Sequence, residues 1–137
     1  MILATADSNI YVSALQFGGP PLRFLNAARH RAFQLAISES ILAEVRGVLL
    51  NKFHWSEYRL EEAISALHDF TLLVNPIQTV SVVAEDPDDN RIIECALASG
   101  SQFIVSGDND LLRLIHYKDI RILRVVEFLK LIPEPSV

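Results

Sequence analysis

The sequence has few of the residues that cross-link small proteins or bind metals through sulfur. It holds one cysteine, Cys95, among 137 residues, which excludes a disulfide framework and a zinc site made of several cysteines. Its apolar runs stay well short of the ~20 residues that a membrane-spanning helix needs. The start, MILATADSN, lacks the basic segment that opens a secretory signal. These absences lead us to expect a cytoplasmic protein.

Motifs that bind phosphate or carry a nucleophile are missing as well. The sequence contains neither a Walker lysine motif nor G-x-G-x-x-G, and it has only five glycines. It shows no Ser/His/Asp arrangement for nucleophilic catalysis. A haloacid-dehalogenase-type phosphatase needs a second Asp two residues after the first, and Asn9 stands there instead. Hydrolysis by a metal-activated water is the chemistry that remains.

Length and pattern predict one α/β domain. A chain of 137 residues, half of them hydrophobic, is long enough for one core and too short for two. Strands and helices alternate along it, which favours a three-layer α/β/α sandwich with a central parallel sheet. We expect a single domain over 1–137 with its core over about 2–131. The predicted strands are 2–6, 33–37, 72–74, 102–105 and 120–123, with a further extended piece at 80–83. The predicted helices are 10–15, 22–30, 39–52, 56–70, 87–99, 111–115 and 125–131.

Acidic residues stand where predicted strands end. Asp7 ends the first strand, and Asp108 follows the strand at 102–105. Both are therefore expected at the carboxyl edge of the parallel sheet, where open α/β folds bind ligands. A second interpretation is that Asp7, Asp108 and Asp110 only cap the helices that follow them.

Helical spacing sorts the other acids into inward and outward positions. Asp89 lies three residues before Ile92 and four before Ile93, so it heads the buried stripe of its helix. Asp88 is turned aside, where an acid in a first turn complements the helix dipole. Glu44 lies at the edge of the buried face of its own helix. It either reaches water or points at a shared cation, since a buried acid without a partner is costly.

Carboxylates that converge on one point imply a cation, because they otherwise repel each other. Oxygen ligands without a histidine or cysteine cluster suit Mg²⁺ or Mn²⁺ better than zinc. The net charge of −5 is compatible with this. If Asp7, Glu44, Asp89, Asp108 and Asp110 share one pocket, the other twelve acids equal the twelve Lys and Arg residues. The excess negative charge then belongs to that pocket.

The ordered set of these segments resembles the PIN domain. The resemblance is carried by ADSNIYVSA around Asp7, by Glu44, by DPDDN with Asp89 and by SGDND with Asp108. It spans about residues 2–131, and it rests on the order and spacing of the set because no single motif is specific. More narrowly, the set is similar to the VapC-like ribonucleases, the PIN-family toxins of type II toxin–antitoxin systems. A PIN-like, Rossmannoid sandwich is the fold that this implies.

The resemblance also implies an activity and a set of site residues. The activity is Mg²⁺- or Mn²⁺-dependent cleavage of single-stranded or loop RNA by a homodimer, inhibited by an antitoxin that is encoded beside it. The alternative is a PIN-like module that binds RNA or protein without activity, or that serves another RNA-processing task. The catalytic and metal-binding acids would be Asp7, Glu44, Asp89 and Asp108, with Asp110 as a less secure fifth ligand and Asn9 and Ser106 as polar side chains beside the metal.

Two surface features bear on partners. Arg23, Arg29 and Arg31 form a basic patch, which is either a solvated helix face or a contact with the RNA backbone. The aromatic residues over 53–58, near a helix junction, supply more apolar surface than one sheet face needs. Together with the resemblance, that surface predicts the homodimer.

Overall fold

Six strands form one sheet in the computed structural model, which describes residues 1–83 and 86–133. Their order across the sheet is β3-β2-β1-β4-β6-β5. All neighbouring pairs run parallel except β5 with β6, which is antiparallel. The strands are β1 (Leu3–Ala6), β2 (Gln34–Ser38), β3 (Thr71–Val74), β4 (Phe103–Val105), β5 (His116–Tyr117) and β6 (Ile120–Leu123).

Seven helices surround this sheet in the described part of the chain. They are α1 (Ser8–Gln16), α2 (Gly19–Arg29), α3 (Glu39–Asn51), α4 (Glu57–Phe70), α5 (Pro87–Ser99), α6 (Asn109–Leu112) and α7 (Val125–Leu129). Five of them begin after an Asp or Ser whose side chain accepts a backbone N–H of the first turn. Such caps satisfy amide groups that have no partner inside the helix. Local sequence therefore fixes where these helices begin.

The order of the strands places the helices on both faces of the sheet. The chain steps from β1 to β2 to β3 in one direction and then returns to β4 and β6. Because parallel crossovers are right-handed, the helices α1 to α4 lie on one face and α5 lies on the other. Helix α7 returns to pack against α2. The predicted three-layer α/β/α architecture is thus confirmed, with one antiparallel strand at an edge.

Aromatic side chains fill the core on the α2 side. Phe24, Phe33 and Phe128 are almost fully buried and meet with ring centroids 4.8 to 5.4 Å apart. On the opposite face, the hydroxyl groups of Thr5 and Ser101 hydrogen-bond at 2.8 Å beneath α5. Between these two layers, β1 and β4 pair side by side at the centre of the sheet. Their carboxyl ends flank the point where the strand order reverses, which is where open α/β sheets form a crevice.

The described chain departs from the predicted elements in a few places. Helix α6 ends before 115 because Ile115 adopts φ +64°, and a short hairpin through Lys118 then adds β5. Helix α2 begins at Gly19, with Pro20 and Pro21 at its entrance, where such prolines are expected. The extended piece at 80–83 lies outside the sheet. The prolines at 133 and 135 predict the end of the ordered chain, and Pro135 lies outside the described residues.

Over 1–83 and 86–133, no helix combines the length and the apolar character that crossing a membrane requires. The single-domain boundaries and the cytoplasmic location stay predictions.

Candidate metal centre

Three aspartates bring one carboxylate oxygen each to a common point at the carboxyl edge of the sheet. The oxygens of Asp86, Asp89 and Asp108 all lie within 4.8 Å of one another. Asp86 caps α5, and Asp89 follows it by three residues, so the two share one face of that helix. Asp108 caps α6 shortly after β4. The cluster therefore joins the first turns of two helices.

The carboxylate of Asp89 is the most strongly perturbed group in this cluster. Asp89 is 5% exposed, and its Oδ2 has no hydrogen-bond partner among the described residues. Burial first, and then the charges of Asp108, Asp86 and Asp7, raise the pKa of Asp89 to about 8. At an effective dielectric of ~20, two carboxylates that are 4.8 Å apart repel by roughly 3.5 kcal/mol. A cation would remove this repulsion and pair the orphaned oxygen.

The donor set suits a hard divalent cation. The three residues supply only oxygen atoms, which Mg²⁺ and Mn²⁺ prefer. Asp86 accepts the backbone N–H of Asp88 through Oδ1 at 3.1 Å, and Asp108 accepts that of Asp110 through Oδ1 at 2.7 Å. Each can thus cap its helix with one oxygen and ligate with the other. The residues present fit an ion of this class.

Asp7 is linked to the cluster through one buried hydroxyl. Its Oδ2 accepts a hydrogen bond from the Ser106 hydroxyl, which in turn accepts the backbone N–H of Asp108 at 2.9 Å. Its Oδ1 accepts the backbone N–H of Ile10 at 3.0 Å and so caps α1. Burial raises the pKa of Asp7 to about 6, against the lowering effect of the hydrogen bonds from Ser106, Ile10 and Gly107. Asp7 therefore both caps α1 and holds the turn that carries Asp108.

Glu44 borders the cluster from α3. Its pKa is raised, mainly by burial and further by the charges of Asp88 and Asp86, while the Ser8 hydroxyl lowers it. These charge effects require proximity, so Glu44 lies near the first turn of α5 and beside the first turn of α1. It is half-buried, as its position at the edge of the helix face predicts.

A groove of about 740 Å³ opens beside Asp108. Asp110 lies in it and forms an ion pair with Arg113 at 3.1 Å. Asn9 also lines this groove and is exposed. The full lining is Asn9, Ile10, Ser13, Pro21, Gly107, Asp108, Asn109, Asp110 and Arg113. A polar groove with one cationic side chain thus runs along α1 and α6 and borders Asp108.

The structure does not bring the predicted basic patch to the acids. Arg29 and Arg31 line a separate cavity with Gln34 and Thr71, the first residues of β2 and β3. That cavity lies at the amino edge of the sheet, opposite the cluster. Arg23 is exposed and lies two residues after Pro21, which lines the groove. A contact between these arginines and RNA stays a prediction.

Asp86 is the cluster member that the sequence did not reveal. An Asp directly before Pro87 predicts only a helix cap, and Asp86 does cap α5. A signal was nevertheless present, because Asp86 and Asp89 are spaced three apart and so lie on the same helix face. Asp88, in contrast, is exposed, as its spacing predicts. The metal and catalytic roles of the predicted acids stay predictions.

Comparison with known families agrees with this geometry. A family model described as the PIN domain matches residues 5–110, which include all three aspartates of the cluster. The chain belongs to the PIN domain family. The predicted family is thereby confirmed. PIN domains are typically nucleases that use divalent metals, so the acidic cluster is of the kind that the family's chemistry needs.

A solved structure shares the fold. This PIN domain is similar to a chain in the structure of VapBC-1 from nontypeable Haemophilus influenzae. The TM-score is 0.58 at 13% sequence identity, over 91% of this chain and 99% of that one. Such low identity shows a common fold. No curated protein sequence matches the chain.

Proposed function

We propose that this PIN domain is a Mg²⁺- or Mn²⁺-dependent endoribonuclease that cleaves single-stranded or loop RNA and acts as the toxin of a toxin–antitoxin pair. The observation that carries the proposal is the buried Oδ2 of Asp89, which has no partner in the described part of the chain and lies in a cluster with Asp86 and Asp108. A purely structural acid would be paired or exposed. Family membership supports nuclease chemistry for this cluster.

The carboxylates have distinct roles in this proposal. Asp86, Asp89 and Asp108 would hold the cation, and Asp89 would release its proton when the ion binds. A divalent cation would lower the pKa of a water molecule and would neutralise charge on the phosphodiester. Asp7 fixes the turn that carries Asp108, through Ser106. Glu44 completes the acidic site from the side of α3.

The groove beside Asp108 is the proposed path of the RNA strand. It borders the cluster at Asp108 and has a volume of about 740 Å³. Asn9 and Asn109 offer amide groups to bases or sugars along it. Arg113 is the cationic side chain among its lining residues, and its ion pair with Asp110 orients the guanidinium. Arginine in such a position binds phosphate well.

We further propose two protein partners. A cognate antitoxin is proposed because the structural neighbour is a chain of VapBC-1, which agrees with the sequence resemblance to VapC-like toxins. A second copy of this chain is proposed because Tyr58 is 75% exposed and Phe17, 72% exposed, packs edge-on against Phe53 at 5.7 Å. Trp55, in contrast, is buried and donates its indole N–H to Gln16 at 2.7 Å, so it contributes little surface.

A comparison of two adjacent aspartates tests the activity. Asp89→Asn removes a proposed ligand, so cleavage of single-stranded RNA with Mg²⁺ or Mn²⁺ should fall by orders of magnitude, at ~1.4 kcal/mol of transition-state stabilisation per tenfold. Asp88→Asn is the matched control, because it changes an exposed neighbour on the same turn. Both variants are checked for folding.

Two outcomes would contradict the proposal. Equal cleavage by the two variants would mean that Asp89 is not a ligand. Undiminished cleavage by the wild type in excess EDTA would mean that the chemistry does not need a metal. If the folded wild type with Mn²⁺ binds RNA but cleaves none, the protein is a PIN-like binding module instead.

A further inference from the structure

The extended segment at 80–83 is attached to α5 by side chains and not by a sheet ladder. The Asn90 side chain carries most of this attachment. Its Oδ1 accepts the backbone N–H groups of Val82 and Val83, both at 2.8 Å, and its Nδ2 donates to the carbonyl of Val83 at 2.9 Å. Asn90 is 3% exposed, so three short hydrogen bonds form away from water. Such buried bonds are expensive to break, because their partners would be left unpaired.

This clamp encloses two of the three clustered acids. Val83 precedes Asp86, and Asn90 follows Asp89, so the hydrogen bonds close a short loop that contains both aspartates. The first turn of a helix frays easily, because its N–H groups lack intrahelical partners. Mutual repulsion of the carboxylates would favour fraying further. A clamp across the start of α5 opposes both effects.

We infer that Asn90 is a positioning residue, which preorganises Asp86 and Asp89 to bind a divalent cation. The inference rests on the proposed function of the acidic cluster. In this inference Asn90 is not itself a ligand, and it acts by holding the backbone on which the two aspartates sit. Residues that orient ligands in this way commonly change metal affinity about 10- to 100-fold when they are replaced.

A second attachment of the same segment provides a matched control. Arg91 pairs with Glu94 at 2.7 Å and donates to the carbonyl of Val80 at 3.3 Å, while Glu94 accepts the backbone N–H of Val80 at 2.9 Å. This contact holds the segment to α5 but does not enclose the acids as closely. Replacing both charges together, in Arg91→Gln/Glu94→Gln, loosens the segment without leaving one charge buried alone.

The test is a calorimetric titration of the metal-free full chain with Mn²⁺. Asn90→Ala should weaken Mn²⁺ binding about tenfold or more, and the Arg91→Gln/Glu94→Gln variant should stay close to the wild type. Because the ligands remain, RNA cleavage by Asn90→Ala should recover at saturating Mn²⁺, unlike that of Asp89→Asn. Chemical unfolding confirms that each variant is folded.

A second variant changes the partner of Asn90 in the segment 80–83. Val82→Pro removes one of the N–H groups that Asn90 accepts, leaves α5 untouched and so remains informative if Asn90→Ala does not fold. Its loss of Mn²⁺ affinity should not add to that of Asn90→Ala, because both break one network. Wild-type affinity in either folded variant overturns the inference. Tight Mn²⁺ binding by a wild type that cleaves no RNA would defeat the ribonuclease proposal and leave the clamp supported.

Discussion

The acidic cluster should make the metal-free protein less stable as the pH rises. Burial and neighbouring charges raise the pKa of Asp89 from an ordinary value of 3.8 to about 8 in the folded state. Between these values the folded chain holds a proton that the unfolded chain has lost, so the free energy of unfolding falls as the pH increases. This stabilising contribution is fully present below pH 3.8, and it is lost as the pH rises to about 8.

The size of the effect follows from one proton. A single group of this kind lowers the free energy of unfolding by about 1.4 kcal/mol per pH unit, or about 2.7 kcal/mol between pH 5 and 7. Asp7 adds to the slope only in the lower part of this range, because its pKa is raised to about 6. The contribution of Asp89 is therefore isolated best as a difference between variants.

The perturbation is Asp89→Asn, which keeps the shape of the side chain and removes its titration. In EDTA the variant should lack this part of the slope and should become more stable than the wild type near pH 7. Urea unfolding at several pH values measures it, with fluorescence of the single tryptophan, Trp55, as the probe because it is buried. Asp88→Asn, which changes an exposed residue, should keep the wild-type slope.

Addition of Mn²⁺ should narrow the difference in stability between the two proteins. At a hundredfold excess over its Kd, an ion that binds only the folded state adds about 2.7 kcal/mol. The wild type gains this stability, and Asp89→Asn gains less because it has lost a ligand. Parallel pH profiles for wild type and Asp89→Asn in EDTA would refute the reasoning, since Asp89 would then not hold a proton in the folded state.

Three further outcomes are expected. Arg113→Gln should weaken binding to single-stranded RNA in EDTA. It should also reduce the slope of log K against log salt by about 0.7, because one phosphate contact is lost. An unchanged slope in a salt series would mean that Arg113 does not contact the RNA. Asp86→Asn should melt within a few degrees of the wild type, since Asn also caps helices. In a titration it should bind Mn²⁺ more weakly than the wild type, and equal affinity would exclude Asp86 as a ligand. Sedimentation at micromolar concentration should show a dimer of the 15.3 kDa chain that Tyr58→Glu dissociates, and a monomeric wild type would contradict it.

Sequence spacing was sufficient for those features of the site that depend on one element. The stripe of Ile92 and Ile93 placed Asp89 inward, and the structure buries it. The Asp-Pro pair at 86–87 marked the start of α5 correctly. Both results follow from helix geometry alone, because side chains three and four residues apart share a face. The same geometry put Asp88 in solvent.

Features that depend on two elements were harder to predict. Asp86 joins Asp89 and Asp108 only because α5 and α6 begin at the same edge of the sheet. The hairpin that adds β5 has no Gly or Asn in its turn, and Lys118 takes φ +53° instead. The position of the basic patch relative to the acids also depends on topology, because Arg29 and Arg31 precede β2 and therefore lie at the amino edge. Topology, and not composition, decides which charges meet.

The arrangement of the acids explains how a repulsive cluster can persist in a folded protein. Asp86 caps α5 and Asp89 stands in its first turn, where the positive end of the helix dipole favours negative charge. Asp108 caps α6 and is held by the Ser106 hydroxyl that also binds Asp7. These contacts offset part of the repulsion but leave Oδ2 of Asp89 without a partner among residues 1–83 and 86–133. The remaining cost is what a cation would relieve, so folding and ion binding should stabilise each other in this PIN domain.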